Sequence, residues 1–184
     1  MELTWHPATL KDIKLLTKVR IDILCAEQNE NSSADMSDIL VQTYDYYKEK
    51  LQSDLHTSYL VFDGDEVAGT GDLTITRVLP TLDNQTGYQA HIMNLYTHPD
   101  YRRQGIAYRT LALLLADAKK RGISVIGLES TEMSRPLFEK FGFVGADHML
   151  LQDIVTPAEA EEAPEQPFEE LCALSADSEA EVQE

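Results

Sequence analysis

Between positions 94 and 108 the chain reads Asn94-Leu-Tyr-Thr-His-Pro-Asp-Tyr-Arg-Arg-Gln-Gly-Ile-Ala-Tyr108, and these residue types in this order point to anion binding. The spacing predicts a strand ending at Thr97, a turn at His98-Pro99-Asp100, and a helix starting directly after Arg102-Arg103-Gln104-Gly105. A helix N-terminus leaves backbone N–H groups unpaired and carries partial positive charge. Glycine at such a junction lets the backbone approach an anion closely, and successive N–H groups form a nest for it. With two arginines beside it, the segment has the make-up of a phosphate or pyrophosphate site. Taken alone, the same residues also read as an ordinary basic loop before a helix.

Such a junction needs an alternating α/β chain around it, and the patterning supplies one. Thr9-Leu-Lys-Asp12 has the form of a capping box, and Ile13, Leu16, Val19, Ile23 and Leu24 recur behind it at helical spacing. A polar, Ser-rich stretch over 29–37 reads as a loop, and a second helix carries Ile39, Leu40, Tyr44, Tyr47 and Leu51. Ser58–Phe62 and Glu66–Thr76 read as two strands of a hairpin about Asp63-Gly64-Asp65. Gln89–Thr97 is the next strand, and Ile106–Lys120 a long amphipathic helix closed by Gly122. Ile123–Leu128 is a further strand, Arg135–Phe141 a short helix, and Phe143 onward a final strand or hairpin. With Leu3–His6 as an added strand, the order is that of a mixed α/β (α+β) domain, one sheet with helices on its faces.

Composition narrows the function classes. Apolar residues make up 43% of the 184, enough for one domain with a real core. No run of about 18 apolar residues occurs, and the N-terminal MELTWHPATLKD lacks the basic-then-apolar pattern of a secretory signal. The expectation is a chain without a membrane partner. Cys25 and Cys172 lie far apart, which fits a reducing, cytoplasmic location better than a disulfide framework. His6, His56 and His98 show no ligand spacing, so no metal is expected. A net charge of −17 disfavours nucleic-acid binding through a basic surface. Ten acidic residues and no Lys or Arg fall between Pro157 and Glu184, leaving −7 for residues 1–156. That Glu-, Ala- and Pro-rich end cannot bury enough apolar area to order itself. The domain is therefore expected over 1–154 and an acidic, disordered tail over 155–184, where Phe168, Leu171 and Leu174 alone have the spacing of a docking turn.

Two stretches together resemble the GNAT superfamily of acyl-CoA N-acyltransferases. Arg102-x-x-Gly105-x-Ala107 is similar to its Q/R-x-x-G-x-G/A pattern, and Arg135-Pro-Leu-Phe-Glu-Lys-Phe-Gly-Phe143 is similar to its R-P-L-Y-E-K-x-G-F segment. A P-loop G-x-x-x-x-G-K-S/T and a Rossmann G-x-G-x-x-G are both absent from the sequence. The resemblance covers residues 3–153, with the sharp motifs confined to 91–143. It implies a splayed mixed sheet of six or seven strands with about four helices. Acetyl-CoA would enter the gap between strands 89–97 and 123–128 as co-substrate. Its pantetheine would pair with main-chain groups around Leu95, Tyr96 and Thr97. Its pyrophosphate would meet Arg102, Arg103, Gln104, Gly105, Ile106, Ala107 and Tyr108.

The activity so implied is N-acetyl transfer, in which the primary amine of a small-molecule or peptide acceptor attacks the thioester directly. His91 falls where some relatives carry a general base, and an imidazole suits proton removal near neutrality. Asp72, Glu27 and Glu129 are alternatives for recognising a cationic amine or passing its proton. Tyr44, Tyr46 and Tyr47 lie on a helix that in relatives helps cover the acceptor. Many relatives place a Tyr where this chain has Phe138, and a phenyl ring cannot protonate a leaving thiolate. Ser134, one helical turn earlier, is the substitute candidate acid. A non-catalytic acyl-CoA-binding or regulatory module on the same fold, or an interaction protein working through its acidic tail, are the competing readings. The expected assembly is a monomer or homodimer.

Overall fold

The computed structural model describes residues 2–27 and 35–146. The chain opens with β1 (Leu3–Pro7), and Thr9 and Asp12 then form the expected reciprocal capping box on a 3-10 turn, Leu10–Asp12, that runs into α1 (Ile13–Glu27). α2 spans Ser37–Gln52, followed by β2 (His56–Asp63) and β3 (Glu66–Arg77), which turn on Gly64-Asp65. β4 (Tyr88–Thr97), a 3-10 turn at Pro99–Tyr101 and α3 (Ile106–Lys120) carry the segment singled out first. β5 (Val125–Leu128) and α4 (Arg135–Lys140) complete the elements.

Among the described residues the sheet has five strands, in the order β1-β2-β3-β4-β5. The expected six or seven strands are therefore corrected to five. The shortfall lies at the C-terminal end, where Phe143–Ala146 join no ladder and the rest of the expected last strand falls outside the described residues. β1 to β4 pair antiparallel, while β5 pairs parallel to β4, as a strand returned by the α3 crossover must. The described residues as far as Phe143 form one packed unit.

β3 is buried on both faces from Ala68 to Ile75, because helices cover both sides of the sheet. On one side α3 presents Thr110, Leu111, Leu114 and Ala118 at helical spacing; its leucines and Ala118 cluster with Leu73, Ile75, Ala90, Ile92 and Phe138. A Cβ at Gly71 would lie 2.7 Å from Thr110 Cγ2, so glycine there lets α3 settle onto β3. On the other side Ile13, Leu16, Val19 and Ile23 of α1 and Tyr47 of α2 pack with Leu60. No described helix is long and apolar enough to cross a membrane.

Candidate active site

β4 is the element that makes a site possible, because its two edges behave differently along its length. β5 follows it only over Gln89–Ile92, paired with Val125–Leu128, so beyond Ile92 the β5 side of β4 is open. On the β3 side the register slips between Thr70 and Asp72: Tyr96 pairs with Thr70 and Met93 with Asp72, leaving Asn94 and Leu95 as a bulge. Asn94 takes the left-handed conformation there, φ 54°, which Asn tolerates better than most residues. The bulge sends Leu95 toward Gly71 on the α3 side, while Met93 and Asn94 line a cavity on the other side. Thr97 closes the strand with its Oγ1 buried and without a hydrogen-bond partner among the described residues.

The open strand leads to the N-terminus of α3. Arg103 and Gly105 are both left-handed, φ 62° and 79°, and Gly105 is the N-cap with no described side chain capping the helix. The first-turn N–H groups of a 15-residue helix are thus uncovered beside Arg102 and Arg103, whose side chains are exposed. A Cβ at position 105 would meet nothing within 4 Å, so glycine is needed for its backbone angle and not for room. The rings of Tyr108 and Phe141 meet at a tilt of 44° with centroids 4.7 Å apart, which ties the first turn of α3 to the end of α4.

The cavity on the α1/α2 side of β4 has a volume of about 400 Å³ and is walled by Arg20, Ile39, Tyr46, Asp72, Met93 and Asn94 among others. Behind it lies a polar network. Asp72, 2% exposed, accepts from Tyr47 Oη at 2.8 Å, Ser58 Oγ at 2.6 Å and Asn94 Nδ2 at 2.9 Å. His56 is also buried, with Nε2 2.9 Å from Ser58 Oγ and Nδ1 2.7 Å from Thr74 Oγ1, which in turn lies 2.5 Å from the Tyr46 hydroxyl. Ser58 donates to Asp72, so its oxygen accepts from His56 Nε2–H. His56 Nδ1, Thr74 Oγ1 and the Tyr46 hydroxyl continue the same chain of bonds, with the donor at each set by the ring's tautomer. The bonds form one connected line from the hydroxyl of Tyr46, a residue of the cavity wall, to the Asp72 carboxylate. Burial, and then the charge of Asp72, push the Tyr47 phenol far above its ordinary pKa, so it stays a donor.

His91 sits on β4 where both neighbours still pair, opposite Thr74 and Gly127, and is not among the cavity-lining residues. Ser134 is the N-cap of α4, and its Oγ is held by Thr131 through N–H and Oγ1 at 2.9 and 3.0 Å. Phe138 is in the core beside Phe143. Of the tyrosines, Tyr46 and Tyr47 line the cavity, while Tyr44 faces a separate groove with Lys14 and Lys18. Glu129 is exposed, and the side chain of Glu27 lies outside what the structure describes. Sequence reasoning missed His56, Ser58 and Arg20. Extending strand 58–62 back by one alternation would have put His56 and Ser58 on the face of Leu60; Arg20 gives no such signal on an amphipathic helix.

Comparison with known proteins follows the same segments. Residues 22–143 match the model of the Acetyltransferase (GNAT) family. The chain is 34% identical over 100 residues to an uncharacterized N-acetyltransferase, YsnE, of Bacillus subtilis, covering 52% of this chain and 60% of that protein. It thus spans less than two thirds of that relative's length. A predicted acetyltransferase of Clostridium acetobutylicum, solved with acetyl-CoA, superposes with a TM-score of 0.74 at 30% identity, over 83% of this chain and 96% of that one. A GCN5-related N-acetyltransferase of Ralstonia eutropha shares the fold with a TM-score of 0.71 at 21% identity, over 83% and 99% of the two chains.

Proposed function

The chain belongs to the GNAT acetyltransferase family, and we propose that it transfers an acetyl group from acetyl-CoA to the primary amine of a small-molecule or peptide acceptor by direct attack. The observation that carries this reading is the construction of β4. One strand has an open edge leading to a bare helix N-terminus on one side and a bulge lining a closed-backed cavity on the other. The residues present fit acetyl-CoA: the uncovered amides of α3 with Arg102 and Arg103 suit its pyrophosphate, and the open backbone of Leu95–Thr97 suits its amide-bearing arm. The unpartnered Thr97 Oγ1 adds one more group able to pair there. The thioester supplies the activated acyl group; the chain holds it against the bulge and holds the amine in the cavity, and proximity supplies much of the rate. A backbone N–H at the bulge would steady the charge developing on the carbonyl oxygen.

The amine must lose a proton. His91 is the candidate base from strand position and Ser134 the candidate acid toward the leaving thiolate. The hydrogen-bonded line from Tyr46 through Thr74, His56 and Ser58 favours Asp72 as a second destination, reached from the cavity without exposing the carboxylate. Residues 155–184 enter this proposal as an acidic segment outside the catalytic unit.

The test is thiol release from acetyl-CoA across a panel of amines, amino acids and peptides. Wild type is expected to turn over at least one acceptor. A base worth 10²–10⁴ in rate should show as a loss of that order in kcat for His91→Ala if His91 serves, or for His56→Gln if the buried line serves. Ser134→Ala should lower kcat if that hydroxyl donates. Acetyl-CoA binding with no thiol release across the whole panel would instead favour a binding module.

A further inference from the structure

Among the described residues that line the cavity Arg20 is the one cation, and its situation differs from that of other arginines in this molecule. Arg20 is partly buried on α1 and donates from Nη1 to Asn94 Oδ1 at 3.2 Å. Among the described residues no carboxylate stands within ion-pair distance of it, in a chain with 32 acidic against 15 basic residues. Other arginines of this protein show what a structural role looks like. Arg121 is gripped by Asp54 and Asp117 at 3.1 and 2.8 Å, and Arg109 lies 3.9 Å over the ring of Trp5. Arg20 has five N–H donors and, among the described residues, one hydrogen bond. Asn94 holds it there, and Asn94 is itself held on its bulge by Asp72. The guanidinium is therefore pre-oriented at the cavity wall.

The remaining wall decides what would meet it. Asp72 shows no bare face, since Tyr47, Ser58 and Asn94 occupy its oxygens and it is 2% exposed. Asp38 is exposed on the first turn of α2. Ile39, Met93 and the Tyr46 ring supply apolar surface. Building on the acetyltransferase reading above, we infer that Arg20 binds a carboxylate of the acceptor, so that the acceptor class is an amine that also carries a carboxylate on an apolar body, as in an apolar amino acid. A planar guanidinium takes a carboxylate through two parallel bonds, which fixes orientation as well as charge. With the carboxylate anchored on α1 and the apolar body against Ile39 and Met93, the amine is left to approach the bulge of β4, where transfer would occur.

The experiment uses the full chain and matched acceptors: phenylalanine, phenylalaninamide and phenethylamine, with leucine and leucinamide as a second set. In wild type, kcat/KM for the carboxylate-bearing member should exceed that of its amide or amine by roughly 10- to 100-fold, the usual worth of a charge-assisted contact. Arg20→Gln should bring that ratio to within about threefold of one, and Arg20→Lys should fall between, keeping charge but losing the fork. Acetyl-CoA affinity and melting temperature of each variant show that it is folded. A wild-type preference for the amide or amine, or a ratio that Arg20→Gln leaves standing, overturns the inference. If no amine is acetylated at all, the acetyltransferase reading fails, and calorimetry with 3-phenylpropanoate, which has the carboxylate and no amine, still decides the Arg20 inference. Binding lost in Arg20→Gln supports it; no binding to wild type overturns it.

Discussion

Gly105→Glu is expected to abolish acetyl-CoA binding at any practical concentration, while Gly105→Gln is expected to leave it measurable. Both variants force a side chain into φ 79°, a left-handed conformation that costs an L-residue about 1–2 kcal/mol. Both have room, because a Cβ there meets nothing within 4 Å. They differ in charge alone. Glutamate sets a carboxylate at the N-cap of α3, beside the amides proposed to hold the pyrophosphate, and like charges brought together at a recognition site cost several kcal/mol. The difference between the two should be roughly 100-fold or more in Kd, measured by calorimetry. Equal affinities for Glu and Gln would remove the anion from this end of α3.

The second large effect concerns stability. Asp72→Ala should destabilise the fold by about 3–5 kcal/mol, because a buried acceptor is taken from three donors at once and each orphaned group costs about 1–3 kcal/mol, not fully additively. Asp72→Asn keeps the shape but turns an amide N–H₂ toward a donor, at about 2–3 kcal/mol. Tyr47→Phe removes one of the donors, and in the Asp72→Asn background its cost should shrink, since the phenol no longer has a full carboxylate to pair with. Denaturant melts of the four proteins measure the coupling. Additive costs for Asp72→Asn and Tyr47→Phe would show that the two side chains do not share the buried network described.

Much of the fold was legible because local rules and tertiary structure agree. The Thr9/Asp12 capping box, the two-residue turn after Asp63 and the Ile106–Lys120 helix each announce themselves through short-range chemistry. The proposed anion-binding end of the site belongs to this class, since helix start, glycine and arginines are contiguous. The proposed acceptor end does not. Asn94 gives no local sign of a bulge, because the register slip that makes it is set by how β3 and β4 pack together. Asp72, Ser58 and His56 meet only after β2 and β3 have paired, and Tyr47 and Tyr46 reach Asp72 and Thr74 from 25 and 28 residues earlier in the chain. Arg20 looks like any polar position on an amphipathic helix until Asn94 is known to face it. The strand number, expected at six or seven, is five among the described residues, because Phe143–Ala146, read as the start of a final strand or hairpin, join no ladder.

The central claim is that β4 and α3 form the acetyl-CoA site, with the cavity of Arg20 and Asn94 on the opposite side of the bulge. Titration of the isotopically labelled protein with acetyl-CoA, followed through backbone amide resonances, tests it most directly. The largest shifts are expected on Leu95–Thr97 and on Arg103–Tyr108, with saturation at one equivalent, while β1 and the outer faces of α1 and α2 stay unmoved. Shifts concentrated on α1 and α2, with Gly105, Ile106 and Ala107 unchanged, would contradict it.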